Sequence, residues 1–311
     1  MGKFSIILLI LVMMGTLLAE GNGGYAGAYL RLGLGARGIA MGNAQTAAPP
    51  DGFGFFYNPA GLPRLQAMSA NFSYSFMSLD RKLNYVGIST PLKPNAGFSL
   101  GWIFSGVGNI QGYNSVGEQT GEINHGLHAI YFSFGAHLIP NRLSIGVSAK
   151  YLKESLSDQE KSYDYGGSGF GGDLGVQLRV TDDLYLGYLM KDVNAKLKSN
   201  TNNIFDQGMT LDNQFPISNV AGVYYRTPWK FLRLAYDFEW STAGTEKHHA
   251  GVELAIPQAA ARFGYDNNHW TFGGGLNIST PFGMKAILNY AFVNSVVDEG
   301  ASHIFSWELA F

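Results

Sequence analysis

The chain has 311 residues, of which only 14% are Asp, Glu, Lys or Arg, against about 25% in an ordinary soluble domain. Its formal net charge of −2 offers no basic field for nucleic acid, and the lack of cysteine excludes a disulfide framework, a thiolate metal site, a thiol nucleophile and a lipoprotein anchor. Glycine, at 41 residues, and aromatics, at 14%, dominate instead, as in a sheet with one face toward lipid and one toward a lumen.

Residues 1–19 read as a signal peptide: Lys3 in a short positive start, an apolar run from Ile6 to Leu18, and Ala19 as the small residue at the cleavage point. The run is shorter than the ~20 residues of a spanning helix. Residues 20–66 are rich in Gly and Ala and show no alternation. A compact, partly helical segment is expected there, with a short helix within 36–47, ending in Tyr57-Asn58-Pro59-Ala60-Gly61-Leu62-Pro63.

From 67 to 311 the apolar residues recur at every second position. In 68–77, Met68, Ala70, Phe72, Tyr74 and Phe76 alternate with Ser69, Asn71, Ser73 and Ser75. In 231–241, Leu232, Leu234, Tyr236, Phe238 and Trp240 alternate with Arg233, Asp237 and Glu239. The pattern predicts fourteen strands: 68–77, 83–92, 96–105, 126–138, 143–153, 169–180, 183–191, 217–226, 231–241, 247–256, 259–266, 269–278, 282–293 and 302–311. The alternation is weak in 83–92 and 217–226. Most of the strands have the length that a tilted strand needs to cross the hydrocarbon layer. Every second connection is a short turn, such as Lys93-Pro94-Asn95 or Pro140-Asn141, whereas 106–125, 154–168, 192–216 and 294–301 are long. That asymmetry is the periplasmic-turn, extracellular-loop arrangement of outer-membrane barrels.

A soluble sandwich would carry charge on its outer face. Here the polar set is mostly Gly, Ser and Asn. A bilayer also demands a sheet whose backbone groups all pair internally. The expected fold is therefore all-β, a 14-stranded antiparallel transmembrane β-barrel, placed in the outer membrane of a Gram-negative bacterium. Phe305, Trp307, Leu309 and Phe311 share one face of the last strand. An aromatic at the final position resembles the signal read by the barrel assembly machinery.

Two segments resemble a known family. Gly27-Ala28-Tyr29-Leu30-Arg31-Leu32-Gly33-Leu34-Gly35-Ala36-Arg37-Gly38-Ile39-Ala40-Met41-Gly42-Asn43-Ala44 is similar to the N-terminal signature of the PorV/PorQ family, and Phe56-Tyr57-Asn58-Pro59-Ala60-Gly61-Leu62 to its second half. The Asn-Pro-Ala-Gly run also resembles the hallmark of the wider FadL-like transporters of long-chain fatty acids. The resemblance implies that residues 20–66 fold into the lumen as a hatch, with Asn58, Pro59, Ala60 and Gly61 as the hatch motif. It implies either passage of small hydrophobic molecules or, as in PorV-type relatives, a shuttle of type IX secretion that holds an exported protein; a structural outer-membrane protein is the third alternative. The residues alone leave a second reading of Asn58-Pro59, as a turn feeding strand one. The external loops are shorter than those with which FadL-like transporters capture ligand.

Strand parity turns Lys150, Asp173, Arg179, Lys191, Arg233, Asp237, Glu239, Glu253, Arg262, Lys285 and Glu308 into the lumen. Both signs are present, so interior salt bridges are the favoured reading over a polar path. Arg31 and Arg37 are the basic residues of the hatch, with Asp237 or Glu239 as expected wall partners. His248 and His249 point to opposite faces of one strand and cannot share a metal. Asp182-Asp183 and Asp298-Glu299 lack calcium-loop spacing, and Ser302-His303 near Asp298 is the nearest thing to a catalytic set. No enzyme activity, cofactor, metal site or catalytic residue is expected. The expected partners are outer-membrane lipid, the assembly machinery, and either an apolar small molecule or an exported protein, with the barrel as a monomer and no nucleic acid bound.

Overall fold

The structure, a computed structural model, describes residues 25–114, 116–158, 164–200, 209–279, 283–294 and 300–311. The expected signal peptide, and the Asp298-Glu299 pair, lie outside these residues.

The strands are, in chain order, β1 (Ser69–Phe76), β2 (Arg81–Leu92), β3 (Ala96–Tyr113), β4 (Gln119–Ile139), β5 (Leu143–Asp158), β6 (Asp164–Arg179), β7 (Leu184–Val193), β8 (Lys196–Asn200) and β9 (Thr210–Gln214). They continue as β10 (Ser218–Arg226), β11 (Leu232–Ser241), β12 (Glu246–Ala255), β13 (Ala259–Asp266), β14 (His269–Ser279), β15 (Lys285–Val293) and β16 (Ser302–Ala310). All but β8 and β9 form one closed antiparallel barrel of fourteen strands. The ends meet where β1 pairs with β16, from Ser69 opposite Ala310 to Phe76 opposite His303. Closure leaves no unpaired edge in the wall.

Alternation decides which way each side chain points. On β1, Ser69, Asn71, Ser73 and Ser75 are buried inside, while Phe72, Tyr74 and Phe76 stand exposed on the outer face. Val86, Ile88, Leu100, Trp102, Phe132, Phe134, Val147, Leu174 and Val176 extend the outer apolar face around the wall. A continuous apolar surface of that extent is unfavourable in water and favourable against acyl chains.

Ten of the fourteen barrel strands lie within three residues of the expected bounds. The differences fall in β3–β6. Residues 106–125 and 154–168, expected as loops, largely continue these strands past the wall as paired ribbons. Gly, Gln, Asn and Thr on both faces end the apolar alternation there, but backbone pairing does not need an apolar face. The expected loop 192–216 likewise holds the hairpin of β8 and β9, which docks on β6 through Gly166–Ser168.

Residues 25–67 lie inside the cylinder. They comprise a 3-10 turn (Ala28–Arg31), a helix (Ala36–Ala40), a helical turn (Gly54–Tyr57) and a second 3-10 turn (Pro59–Arg64). The expected helix in 36–47 is thus a single turn that stops at Ala40, where Gly42 takes a positive φ of 63°.

Candidate functional site

The site is the lumen and what fills it. Wall glycines let the inner segment approach the sheet. A side-chain carbon at Gly97, Gly135, Gly146 or Gly175 would come closer than 3.0 Å to Leu62, Pro59, Ala60 or Asn58. Gly187 stands against Thr46, Gly251 against Met41, and Gly264 against Gly42 in the same way. The first four are register partners on adjacent strands, Gly97–Gly135–Gly146–Gly175. They form a bare track on the inner wall in which the turn Pro59–Arg64 sits.

Asn58 holds the start of that turn. Its Oδ1 accepts from the Ala60 N–H at 3.0 Å, as an N-cap does. Its Nδ2 donates to the carbonyls of Thr46 at 2.9 Å, Val176 at 3.1 Å and Tyr188 at 3.4 Å. Gln177 Nε2 donates to the same Thr46 carbonyl at 2.9 Å. Pro59 starts the turn without an N–H to satisfy. Ala60 is fully buried, and Gly61 lies beside Pro50 and Gln177.

The lumen is not uniformly polar. Leu83, Tyr85, Ile103, Tyr131 and Leu152 point inward and pack on Phe53, Phe55 and Phe56 of the inner segment. Phe55 is fully buried between Tyr85, 5.5 Å away, and Tyr131, 5.3 Å away. The opposite side of the lumen carries a charged cluster around Glu253. The Arg37 Nε is 3.4 Å from Glu253 and its NH1 is 3.3 Å from Asp51. Glu253 also accepts from Arg233 and Arg262, each at 2.7 Å. Arg37 therefore pairs with Glu253, not with the expected Asp237 or Glu239. Asp237 accepts from the Thr46 N–H at 2.9 Å, and Glu239 faces His249 at 3.6 Å. Arg31 has no wall carboxylate among its bonds and donates to the Ala26 carbonyl at 2.7 Å. Burial disfavours the charge of Arg37, but Glu253 and Asp51 outweigh it and hold the guanidinium protonated above its ordinary range. Burial, reinforced by the carboxylates of Asp51, Asp266 and Asp237, pushes the Tyr57 hydroxyl well above the usual phenol range, so it stays a neutral hydrogen-bonding group.

Of the other residues singled out in the sequence, Glu308 accepts from the Gly52 N–H at 3.2 Å. Lys285 is exposed at the mouth on the short-turn side. Phe305, Trp307, Leu309 and Phe311 lie on the outer face or at the end of β16. Lys150 is buried and bonds Asp173, which parity also placed in the lumen, and Asp192, which the sequence reading did not single out. His248 faces outward with Tyr236, and His249 inward with Asp266 at 2.8 Å. His303, likewise outward, bonds the Tyr290 hydroxyl. Gly97-Phe98-Ser99-Leu100-Gly101 has nucleophile-elbow spacing, which the sequence reading missed, but it lies inside strand β3. Its Ser99 hydroxyl is fully buried against Ser89 and the Ile88 carbonyl, with no base beside it.

Three spaces follow one another through the lumen. On the long-loop side a cavity of about 40 Å³ lies among Arg31, Lys191, Asp192, Asp237, Glu239 and Tyr57. A crevice of about 10 Å³, bounded by Tyr57, Asn58, Asp51 and Gln177, comes next. It has room for about one water. Beyond Asp51 and Pro50 a vestibule of about 760 Å³ opens toward the short turns. Tyr57 borders the first two spaces and Asp51 the last two. Tyr57 is fixed by Leu34, whose N–H donates to its hydroxyl at 3.0 Å, and by Asn43, 2.8 Å away. The long-loop mouth is covered by Phe215, Leu197 and Ala195 on Tyr29 and Leu30.

No protein-family model matches the chain, and no curated protein matches it in sequence. Solved structures do share its fold. The CymD monoaromatic hydrocarbon channel superposes with a TM-score of 0.63 at 12% identity, over 90% of this chain and 98% of that one. The toluene transporter TodX of P. putida gives 0.63 at 13% identity, over 90% and 99%. A FadL homologue of Pseudomonas aeruginosa gives 0.60 at 12% identity, over 89% and 98%. The chain therefore has the fold of a FadL-like barrel.

Proposed function

We propose that the chain is an outer-membrane barrel that passes small hydrophobic molecules inward, with residues 25–67 as its hatch and the short turns in the periplasm. The observation that carries this reading is the row of three spaces, in which Tyr57 borders the first two and Pro50 and Asp51 border the last two. All three residues belong to the inner segment. That segment sits on bare glycine backbone and can move without breaking the strand-to-strand hydrogen bonds of the wall, once its own ties such as Asn58 to Val176 and Tyr188 are released. The aromatic side of the lumen, Phe55 with Tyr85 and Tyr131, is chemistry suited to an apolar solute. The fold shared with the CymD monoaromatic hydrocarbon channel and the toluene transporter TodX supports the same reading.

The test is uptake of toluene and of a long-chain hydrocarbon by proteoliposomes holding the full-length barrel. Faster entry than into protein-free liposomes supports passage; equal entry sinks it. The second reading, a shuttle holding an exported protein, rests on the PorV/PorQ resemblance of residues 27–62 and on the ribbons of β3–β6 that project beyond the wall. Copurification from detergent-extracted outer membranes separates the two. Stoichiometric apolar ligand favours passage, and exported proteins sharing a C-terminal domain favour the shuttle.

A further inference from the structure

On the outer face of β2–β5 the apolar surface stops short of the long loops. Val86, Trp102, Ile130 and Tyr151 stand side by side across the four strands, all exposed outward. Two residues nearer the long loops, the same face carries Asn84, Phe104, His128 and Lys153. Two residues beyond those, it carries Lys82, Gly106, Gly126 and Ser155. The change from apolar side chains to His and Lys marks the bilayer–water interface on that side, where Trp and Tyr rings and the ammonium ends of lysines collect.

Three donors ring this patch. Trp102 Nε1–H donates to His128 Nδ1 at 3.2 Å, and the two rings stack with centroids 5.8 Å apart. An indole nitrogen can only donate, so Nδ1 is the acceptor and neutral His128 carries its proton on Nε2. That N–H has no bonded partner among the described residues. Lys153, directly across from His128, and Lys82 are exposed and form no ion pair among the described residues. No Asp or Glu stands in the two polar rows. The floor between the donors is bare backbone. A side-chain carbon at Gly126 would meet His128 Nε2 at 3.6 Å and Ser155 Oγ at 3.2 Å. Gly106 lies between Gly126 and Lys82. Lys82 is thus roughly 5 Å from Gly106 across the strand pair, and Lys153 is diagonal to Gly126 at roughly 7–8 Å, so both ammonium groups can reach the floor.

We infer that this patch binds the phosphate head of an anionic lipid in the leaflet on the long-loop side. Phosphate oxygens point in several directions, so one group accepts from His128 Nε2–H and from the ammonium groups of Lys82 and Lys153 above the glycine floor. The acyl chains then lie over Trp102, Ile130 and Tyr151, a surface that a soluble anion or an acidic peptide would leave uncovered. The site is outside the cylinder and takes no part in passage through the lumen.

The test uses the full-length barrel in dodecyl maltoside, with native mass spectrometry counting bound dioleoylphosphatidic acid and dioleoylglycerol. The two lipids share their chains and differ in the phosphate. Phosphatidic acid is expected to bind about tenfold more tightly, one charge-assisted hydrogen bond's worth of discrimination. Lys82→Gln and Lys153→Gln should each weaken it about fivefold and leave dioleoylglycerol unchanged. His128→Phe, which keeps a ring on Trp102, should also weaken phosphatidic acid alone. Two controls should behave as the parent: Lys285→Gln at the other mouth, and His248→Phe on β12, whose ring bonds Tyr236 and faces Phe238 across the strands. None of these side chains is buried, and folded migration on unheated gels checks each barrel before titration. Equal binding of the two lipids, or phosphatidic acid binding indifferent to both lysine substitutions, overturns the site. An equal loss in Lys285→Gln does so too, because the attraction would then follow net charge. Displacement of phosphatidic acid by equimolar inorganic phosphate would assign the patch to a soluble anion, and tighter binding of an acidic hexapeptide would assign it to a protein; either overturns the lipid assignment.

Discussion

Tyr57 shows how much of the lumen rests on one side chain. Its ring borders both the upper cavity and the crevice, and its hydroxyl ties two stretches of the inner segment together. Tyr57→Ala should join those two spaces, raise single-channel conductance in planar bilayers, and cost about 3 kcal/mol in urea unfolding from lipid. Tyr57→Phe keeps the partition and should cost only about 1 kcal/mol for the lost hydrogen bonds, with conductance unchanged. Glu253 is the opposite case, a buried anion shared by three cations. Glu253→Gln leaves the guanidiniums facing one another and should cost about 3–5 kcal/mol in the same unfolding measurement. The wall arginines of this cluster, Arg233 and Arg262, were recognisable as inward-facing from strand parity. The partner of Arg37 was not, because parity gives the face of a wall residue but not its height relative to a non-repeating inner segment. Asp237 and Glu239 have the right face, and Glu253 has both the right face and the right height.

At the level of elements, the outer face of the wall was legible and the inner face only half so. Strands such as β1 and β11 alternate cleanly because one face meets lipid and the other meets Ser, Asn or charge. β2 alternates poorly for a physical reason: Leu83 and Tyr85 pack inward on the aromatic cluster while Val86 and Ile88 point outward, so both faces are apolar. Weak alternation in a barrel strand thus marks the place where an inner segment docks. The glycine track is the complementary sign. Gly146→Val should push the turn Pro59–Arg64 off β5, at roughly 1–3 kcal/mol, while the wall still assembles. Gly274, whose added carbon would meet nothing closer than 3.5 Å, is the control, and Gly274→Ala should behave as the parent. Folded migration on unheated gels together with protease access to residues 25–67 reads both halves of this expectation. If Gly146→Val leaves access unchanged, the track does not set the docking.

For the whole molecule, the two ends of the barrel sequence are joined side by side in the β1–β16 pairing, and among the described residues the segment within the cylinder precedes β1 in the chain. The finished cylinder is capped at one mouth by Phe215, Leu197 and Ala195 and half filled at the other by the turn Pro59–Arg64. Threading forty residues through either mouth would mean first undoing its closure. The stuffing must therefore be gathered while the curtain is still open, and the last seam sewn around it. A chain lacking residues 25–67 should zip into a hollow, leaky tube, and the missing stretch added later as a free peptide should fail to quiet the current. Should the late peptide restore the seal, the order of enclosure is not dictated by this topology, and the contents can find their way in after the garment is closed.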